Sequence, residues 1–397
     1  MEWHDNALIK VIPYLNKDRK QVEIILQNLG LQAARASFFA ESLEKDWNIT
    51  QLSDEKKHWA LSHGFFPSRI ALYNLTEQNY KDYLSDFDYF RLHPLNNHFA
   101  IWVNDKLTLK YIFPKEIETL GGRKINIMPE YYLYIENDGH YSYLMDSPLS
   151  IAHNSDYLLN LVKEKKVLAL KPSRGSGGYG FVKLEYTNSC IYANGEEIKP
   201  TDFNNFKDKL NGYLITAFVT QHTDLDYIWK DSVCTLRIVA VKNIVNQHQE
   251  RQTDVIVSYA RFGTSISHGA SNLSSGGVGI AYDFNTGIFQ GSFYKQKQFC
   301  ENDSQQLECH PDTKVILKGT KLPHWNLVKD TVLTICQYLS SLDYFGFDIM
   351  ITQEGIKLCE INTLPALDIE QVMHDPIFKN PQASKFFNEK KSHITSF

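Results

Sequence analysis

The chain has 397 residues, 43% of them apolar, which is enough for two or three packed subdomains with sizeable cores. Its 41 lysines and arginines against 46 aspartates and glutamates leave a net charge of −5, which argues against non-specific nucleic-acid binding, because that needs a basic face. The six cysteines (Cys190, Cys234, Cys300, Cys309, Cys336 and Cys359) form no CxxC pair and point to a reducing compartment without disulfides or zinc; Cys300, Cys309 and His310 fit no common zinc spacing. The opening MEWHDNALIK starts acidic and lacks a long apolar core, so no signal peptide is expected. No apolar run approaches membrane-spanning length, so no transmembrane segment and a cytoplasmic protein are expected, with a peripheral membrane contact left open.

In chain order, residues 1 to about 60 read as helical, since VEIILQNLGLQAARASFFAESLEKDW carries apolar residues at three- and four-residue spacing. The aromatic-rich stretch GFFPSRIALYNLTEQNYKDYLSDFDYFRLHPLNNHFAIWV reads as core packing ahead of a stacking platform. From Ile101 the pattern turns to short strands and helices. Asp156–Lys166 reads as a helix leading into a buried strand, VLALKP (Val167–Pro172). FVKLEYT follows with period-two alternation and reads as a second strand. YLITAFV (Tyr213–Val219), CTLRIVAV (Cys234–Val241), DVIVSYARFG (Asp254–Gly263) and VGIAYDF (Val278–Phe284) read as strands from their β-branched content. LVKDTVLTICQYLSSL reads as an amphipathic helix, followed by a strand pair, FGFDIMIT and GIKLCEIN, turning at Gln353-Glu354-Gly355. The fold class expected from this order is α+β, with antiparallel sheets and a nucleotide cleft between them.

Between VLALKP and FVKLEYT lies a glycine-rich loop, Gly175 to Gly180, that fits G-x-G-x-x-G. A dinucleotide fold would need a helix after it, and a strand follows instead. A P-loop would need Gly-Lys-Ser/Thr, which is absent. Two readings remain: a strand–loop–strand flap whose backbone amides approach phosphates, or a plain glycine-rich hairpin.

The last strand pair carries the sharper signal. Glu360 and Asn362 stand two apart and share one face, and pairing through the Gly355 turn brings Asp348 near them. Two carboxylates and an amide oxygen among Ile, Met, Leu and Cys suit a hard cation such as Mg²⁺, because buried carboxylates need a cationic partner; the alternative is a solvated sheet face whose charges happen to cluster. Arg237 stands on an otherwise apolar strand, where an unpaired guanidinium would be costly. It therefore implies a phosphate or carboxylate ligand, or a structural ion pair with an acidic residue. Arg261 is a weaker case of the same kind. Asn272 and Ser274 to Gly277 form a second polar loop, which either positions the γ-phosphate or the acceptor, or is a turn.

A lysine strand entering a glycine flap, an arginine strand, and a strand pair ending in Asp…Glu-x-Asn together resemble the ATP-grasp superfamily. The succession CTLRIVAV, ARFG, SNLSSGGVGIAYDFNTG, HPDT and GFDIMITQEGIKLCEINTLPALDIEQ resembles the sugar-transfer-associated ATP-grasp family, relatives of the teichuronopeptide-biosynthesis proteins, over about Phe99 to Gln371. The resemblance implies two α+β subdomains clasping ATP, after a mainly helical N-terminal region at 1–95. A pre-flap segment at 96–165, a small subdomain with the flap at 166–222 and a large subdomain at 223–397 would follow. It implies Lys171 on the α- or β-phosphate and Lys106, with Lys110 as its rival, as an earlier phosphate lysine. Ser176, Gly177, Gly178 and Tyr179 would close over the phosphates, and Ala217, Phe218 and Val219 would form the hinge that meets adenine. Many relatives carry a glutamate around this hinge where this sequence has Thr216 and Ala217. Asp348, Glu360 and Asn362 would hold Mg²⁺, with Arg237 and Arg261 as catalytic cations. The reaction implied is carboxylate–amine ligation through an acyl phosphate. The acid would be a uronic acid or nucleotide sugar of surface (capsular) polysaccharide synthesis, the amine an amino acid or amino alcohol, and a glycosyltransferase a possible partner. The alternative is a small-molecule kinase with Asp348 or Asp368 as base. A protein kinase is not expected, because the loop runs to Val182 in the form G-x-G-x-x-G-x-V but no H-R-D or D-F-G follows. A nucleotide-binding module without turnover is the third reading. Three roles are open to the N-terminal region: binding the second substrate, supporting a dimer, or docking on a glycosyltransferase.

Overall fold

The structure, a computed structural model, describes residues 7–49, 51–174, 178, 180–296 and 305–394. Ser176, Gly177, Tyr179 and Cys300 lie outside the described residues. The chain divides into two compact units, one of Met1–Asn97, Ala240–Val257 and Leu364–Phe397, the other of His98–Val239 and Ser258–Thr363.

In the first unit, polar side chains start the helices that the apolar spacing calls for. Asp18 accepts the Gln21 amide at 3.1 Å ahead of helix Arg19–Asn28, and Ser85 accepts the Asp88 amide at 3.2 Å ahead of helix Asp86–Leu92. Helix Ala33–Ile49 buries Ala36, Phe39, Ala40 and Leu43, the three- and four-residue stripe. Phe39 packs on Phe66, Phe87 and Phe90 at centroid distances of 4.9, 5.9 and 5.5 Å, so this part of the aromatic-rich stretch builds core. Arg69 bridges Asp86 and Asp368 at 3.0 Å each, and Gln371 bonds both backbone groups of Leu84, fastening the segment after Leu364 to the helices.

His93 in this unit is buried, and burial first, then the nearby Arg35, pushes its pKa down from the usual 6.5 to about 3. Folding therefore excludes a proton that the unfolded chain binds below pH 6.5. Stability is complete above that value and falls with pH towards about 3, by at most about 1.4 kcal/mol per pH unit for one proton. Urea unfolding midpoints from pH 7 to pH 4 should show this slope, and a His93→Gln variant should lose one proton's worth of it.

The second unit opens with helices Ala100–Asn104 and Lys106–Ile112 and a small hairpin, β1 (Ile117–Glu118) and β2 (Lys124–Ile125), and then holds two seven-stranded sheets. The first sheet comprises β3 (Tyr131–Ile135), β4 (Tyr141–Tyr143), β5 (Val167–Pro172), β6 (Val182–Thr187), β7 (Cys190–Ala193), β8 (Glu196–Ile198) and β9 (Tyr213–Ala217), in the order β4-β3-β9-β5-β6-β7-β8. β5 and β6 pair antiparallel with Leu168 opposite Leu184, so the glycine loop is a strand–loop–strand connection. Helix Tyr157–Lys165 lies on this sheet through Leu158, Leu161 and Val162, against Leu168, Leu170, Leu184 and Ile215.

The second sheet comprises β10 (Thr235–Ile244), β11 (Arg251–Phe262), β12 (Val278–Ala281), β13 (Phe293–Lys295), β14 (Gln306–Leu307), β15 (Tyr344–Thr352) and β16 (Gly355–Asn362), in the order β14-β13-β12-β11-β10-β15-β16. The 240–257 ends of β10 and β11 group with the first unit. β12 is shorter than its β-branched run suggests. The chain turns at Asp283, whose carboxylate accepts the Thr286 amide at 2.8 Å, and only an isolated bridge, Tyr282 to Phe289, continues the pairing. Helix Trp325–Tyr338 buries Val328, Val332, Ile335 and Cys336. No described helix is long and apolar enough to cross a membrane.

Candidate active site

The site grows from one face of the second sheet. β15 and β16 pair with Asp348 directly opposite Glu360 and Gly346 opposite Asn362, with a register shift just after Asp348. Directly opposed residues of an antiparallel pair project to the same face, so the three predicted metal ligands share a surface. β10 and β11 lie next in order and bring Arg237 and Arg261 to Asp348. Arg237 donates from Nε to Asp348 Oδ1 at 2.7 Å and from Nη2 to Oδ2 at 3.3 Å. Arg261 Nη2 reaches Oδ2 at 2.9 Å. Arg261 is 6% exposed and Asp348 5%, so these are desolvated ion pairs. The partner inferred from the cost of a guanidinium on an apolar strand is therefore Asp348.

Lysines complete the cluster. Asp105 caps helix Lys106–Ile112 by accepting the Thr108 amide at 2.9 Å, which makes Lys106 its first residue. The Lys106 amide bonds the Ser173 carbonyl at 3.3 Å, at the end of β5, and its Nζ lies 3.5 Å from Glu360 Oε2. Lys110 is engaged elsewhere, with Nζ 2.8 Å from the Pro129 carbonyl and 2.9 Å from Asp146. Of the two rivals, Lys106 is the one beside the carboxylates. Lys171, on β5, lies over the Tyr131 ring at 5.4 Å. Burial works against its ammonium, but Tyr131, Cys359 and Glu360 around it hold its pKa above the ordinary lysine value.

The two carboxylates titrate apart. Burial alone would raise Asp348; Arg237 and Arg261 outweigh it and hold the carboxylate well below the usual range. Glu360 is pushed up by burial first and then by Asp348, with Lys106 opposing. Asn362 donates from Nδ2 to Glu360 Oε1 at 3.1 Å, a bond that does not use its amide oxygen. Asp348, Glu360 and Asn362 put an all-oxygen donor set on one face, the donor chemistry that a hard divalent cation such as Mg²⁺ takes.

Ala217 ends β9, opposite Leu168, and its amide bonds the Glu130 carbonyl at 2.9 Å; Phe218 and Val219 follow, half-buried. Lys183 lies 5.1 Å over the Phe218 ring. Thr216, just before Ala217, is buried. Gly178 is the described glycine of the flap with a predicted role. Its φ of +74° favours glycine, and the Asn272 Nδ2 atom, 2.9 Å from where a Cβ would stand, sets Asn272 of the second polar loop beside Gly178.

Sequence reasoning missed three neighbours of these groups: Tyr131 beneath Lys171, Cys359 beside it, and Thr235, which accepts from Arg261. Only Thr235 left a trace, standing two residues before Arg237 on a strand and so on its face.

Comparison with curated proteins gives no match. Among solved structures, the chain is similar to D-alanyl-alanine synthetase A from Vibrio cholerae O1 biovar eltor (12% identity, 76% of this chain and 68% of that one, TM-score 0.39). It is similar to D-alanine–D-alanine ligase from Bacillus anthracis (12%, 75% and 68%, 0.36). It is also similar to N5-carboxyaminoimidazole ribonucleotide synthetase from Thermotoga maritima (10%, 70% and 50%, 0.32), half of whose length it spans. The family described as sugar-transfer associated ATP-grasp matches residues 92–383, well over half of the sequence, and takes in every residue of the cluster. The chain belongs to the sugar-transfer associated ATP-grasp family.

Proposed function

We propose that the protein is an ATP-dependent carboxylate–amine ligase that works through an acyl phosphate. The observation that carries this reading is a charge imbalance. Four cationic side chains, Lys106, Lys171, Arg237 and Arg261, surround two carboxylates, Asp348 and Glu360. Desolvated positive charge in excess is a site for a polyanion, and a nucleotide triphosphate supplies one.

In this reading an oxygen of the substrate carboxylate attacks the γ-phosphorus of ATP, the bond to the ADP oxygen breaks, and an acyl phosphate forms. An amine nitrogen then attacks the acyl carbon, phosphate leaves, and the nitrogen gives up a proton to yield the amide. Lys171 and Lys106 bind phosphate oxygens, while Arg237 and Arg261 exchange part of their hold on Asp348 for the transferring phosphoryl group. Asp348, Glu360 and Asn362 would hold Mg²⁺, which draws charge from the phosphate oxygens when bound. Ala217, Phe218 and Val219 would line the adenine. No side-chain nucleophile is needed. The acid proposed is a uronic acid or nucleotide sugar of surface polysaccharide synthesis, and the amine a small amino acid or amino alcohol. A kinase would need a base at the acceptor hydroxyl. Asp348, kept ionised by two arginines, is a poor proton acceptor, and Asp368 is paired with Arg69.

Hydroxylamine trapping tests the reading. Incubation with Mg·ATP, hydroxylamine and glucuronate, galacturonate or their UDP derivatives should release ADP together with a hydroxamate. ADP with a stable phosphorylated sugar and no hydroxamate would establish the kinase instead.

A further inference from the structure

Thr235 stands where two structural elements meet. It shares its strand face with Arg237, and its hydroxyl accepts the Nε–H of Arg261 at 2.9 Å. The same hydroxyl lies 2.9 Å from Ser271 Oγ. One hydroxyl can accept from the guanidinium and donate to Ser271 at once, since it carries one proton and two lone pairs. Arg261 is thus held at both ends, by Asp348 through Nη2 and by Thr235 through Nε.

Ser271 opens a loop that is stiff by construction. The Gly276 and Gly277 amides bond the Leu273 and Asn272 carbonyls at 3.1 and 3.0 Å, and Thr264 Oγ1 donates to the Gly276 carbonyl at 2.8 Å. A Cβ on Gly277 would stand 2.6 to 2.9 Å from three backbone carbonyls, those of Ser271, Asn272 and Phe262. Leu273 is buried beneath, while Ser274 is exposed and Asn272 and Ser275 are half-buried. The loop therefore spends its backbone groups on itself and presents an amide and hydroxyls, a surface suited to a hydroxyl-rich acid.

We propose that Thr235 is a positioning residue: its hydroxyl orients Arg261 and fixes the distance between that cation and the Ser271–Gly277 loop, so that the phosphate-binding cation and the loop that receives the acid keep one geometry. This rests on the ATP-dependent reading above.

The test uses the full chain with two variants, Thr235→Val, which keeps the shape and loses the hydroxyl, and Thr235→Ser, which keeps the hydroxyl and loses a methyl. Two quantities are read: affinity for Mg·ATP and for AMP, and amide hydrogen exchange of Ser271–Gly277 without nucleotide. Thr235→Val should weaken Mg·ATP binding about tenfold while changing AMP binding by less than about twofold, as expected for a lost hydrogen bond to a charged group. It should also speed exchange in the loop, and Thr235→Ser should restore both. A packing role predicts the reverse order, with Ser the damaged variant, and that result overturns the inference, as does wild-type behaviour of Thr235→Val. A wild-type chain that binds no Mg·ATP overturns the proposed function and with it the role of Arg261. The exchange measurement, made without nucleotide, separates that failure from a failure of the Thr235–Ser271 tie.

Discussion

An Asp348→Asn variant is expected to lose about 3–5 kcal/mol of stability, the usual cost of removing one partner from a buried ion pair. Asp348 serves as the anion for two guanidiniums, at 2.7 and 2.9 Å, and all three side chains are largely excluded from water. An amide keeps the shape but not the charge, and its Nδ2 presents hydrogens to a guanidinium that has no acceptor. Both arginines would then sit desolvated on strands β10 and β11 without the anion they share. Urea unfolding at pH 7 measures the loss. A variant within about 0.5 kcal/mol of the wild type, the range of an ordinary surface substitution, would mean that the arginines find other anions. If the site takes a triphosphate, Mg·ATP should stabilise the variant through those same arginines.

A Glu360→Gln variant is expected to behave differently, keeping the fold and losing turnover by about 100-fold or more, in the range seen when one electrostatic element of a phosphoryl-transfer site is removed. Burial and Asp348 already push Glu360 towards its neutral form, so a neutral amide costs the resting protein little. The negative charge that glutamine lacks matters when a cation is to be held on this face. Lys106 loses the Glu360 carboxylate in the variant but keeps its backbone bond to Ser173, just past β5. The measurement is ADP release with the acid found by hydroxylamine trapping, together with Mg²⁺ titration of the rate. Loss of rate that excess Mg²⁺ partly restores supports a ligand role. Unchanged turnover removes Glu360 from the metal set.

Much of this site was legible in the residues because strands have a period of two. Asp348, Glu360 and Asn362 could be set on one surface from a turn at Gly355 and a two-residue spacing, and the observed register agrees. The strand after the glycine loop was legible for the same reason, which removed the dinucleotide reading. What period alone misses is the partner on a neighbouring strand that is far away in the sequence. Arg237 demanded an anion, but phosphate and carboxylate satisfy a guanidinium equally well, and only the strand order β11-β10-β15-β16 makes Asp348 the answer. The choice between Lys106 and Lys110 was equally closed to sequence, since both lie on one short helix. Their difference comes from the cap at Asp105 and from which of them meets Glu360.

Apolar periodicity and the Asp…Glu-x-Asn spacing thus determined, without coordinates, the α+β class and the face that carries the carboxylates, while the family came from the resemblance of whole motifs. Those features are local, set by the pleat of a strand and the reach of a turn. Tertiary structure alone decided which charges neutralise one another, that Thr235 joins Arg261 to the Ser271 loop, and that Asp368 answers to Arg69. Each of these depends on side chains far apart in the chain, and the energy of a charge in a desolvated site is set by whatever the fold places within a few ångströms of it, at any separation in sequence.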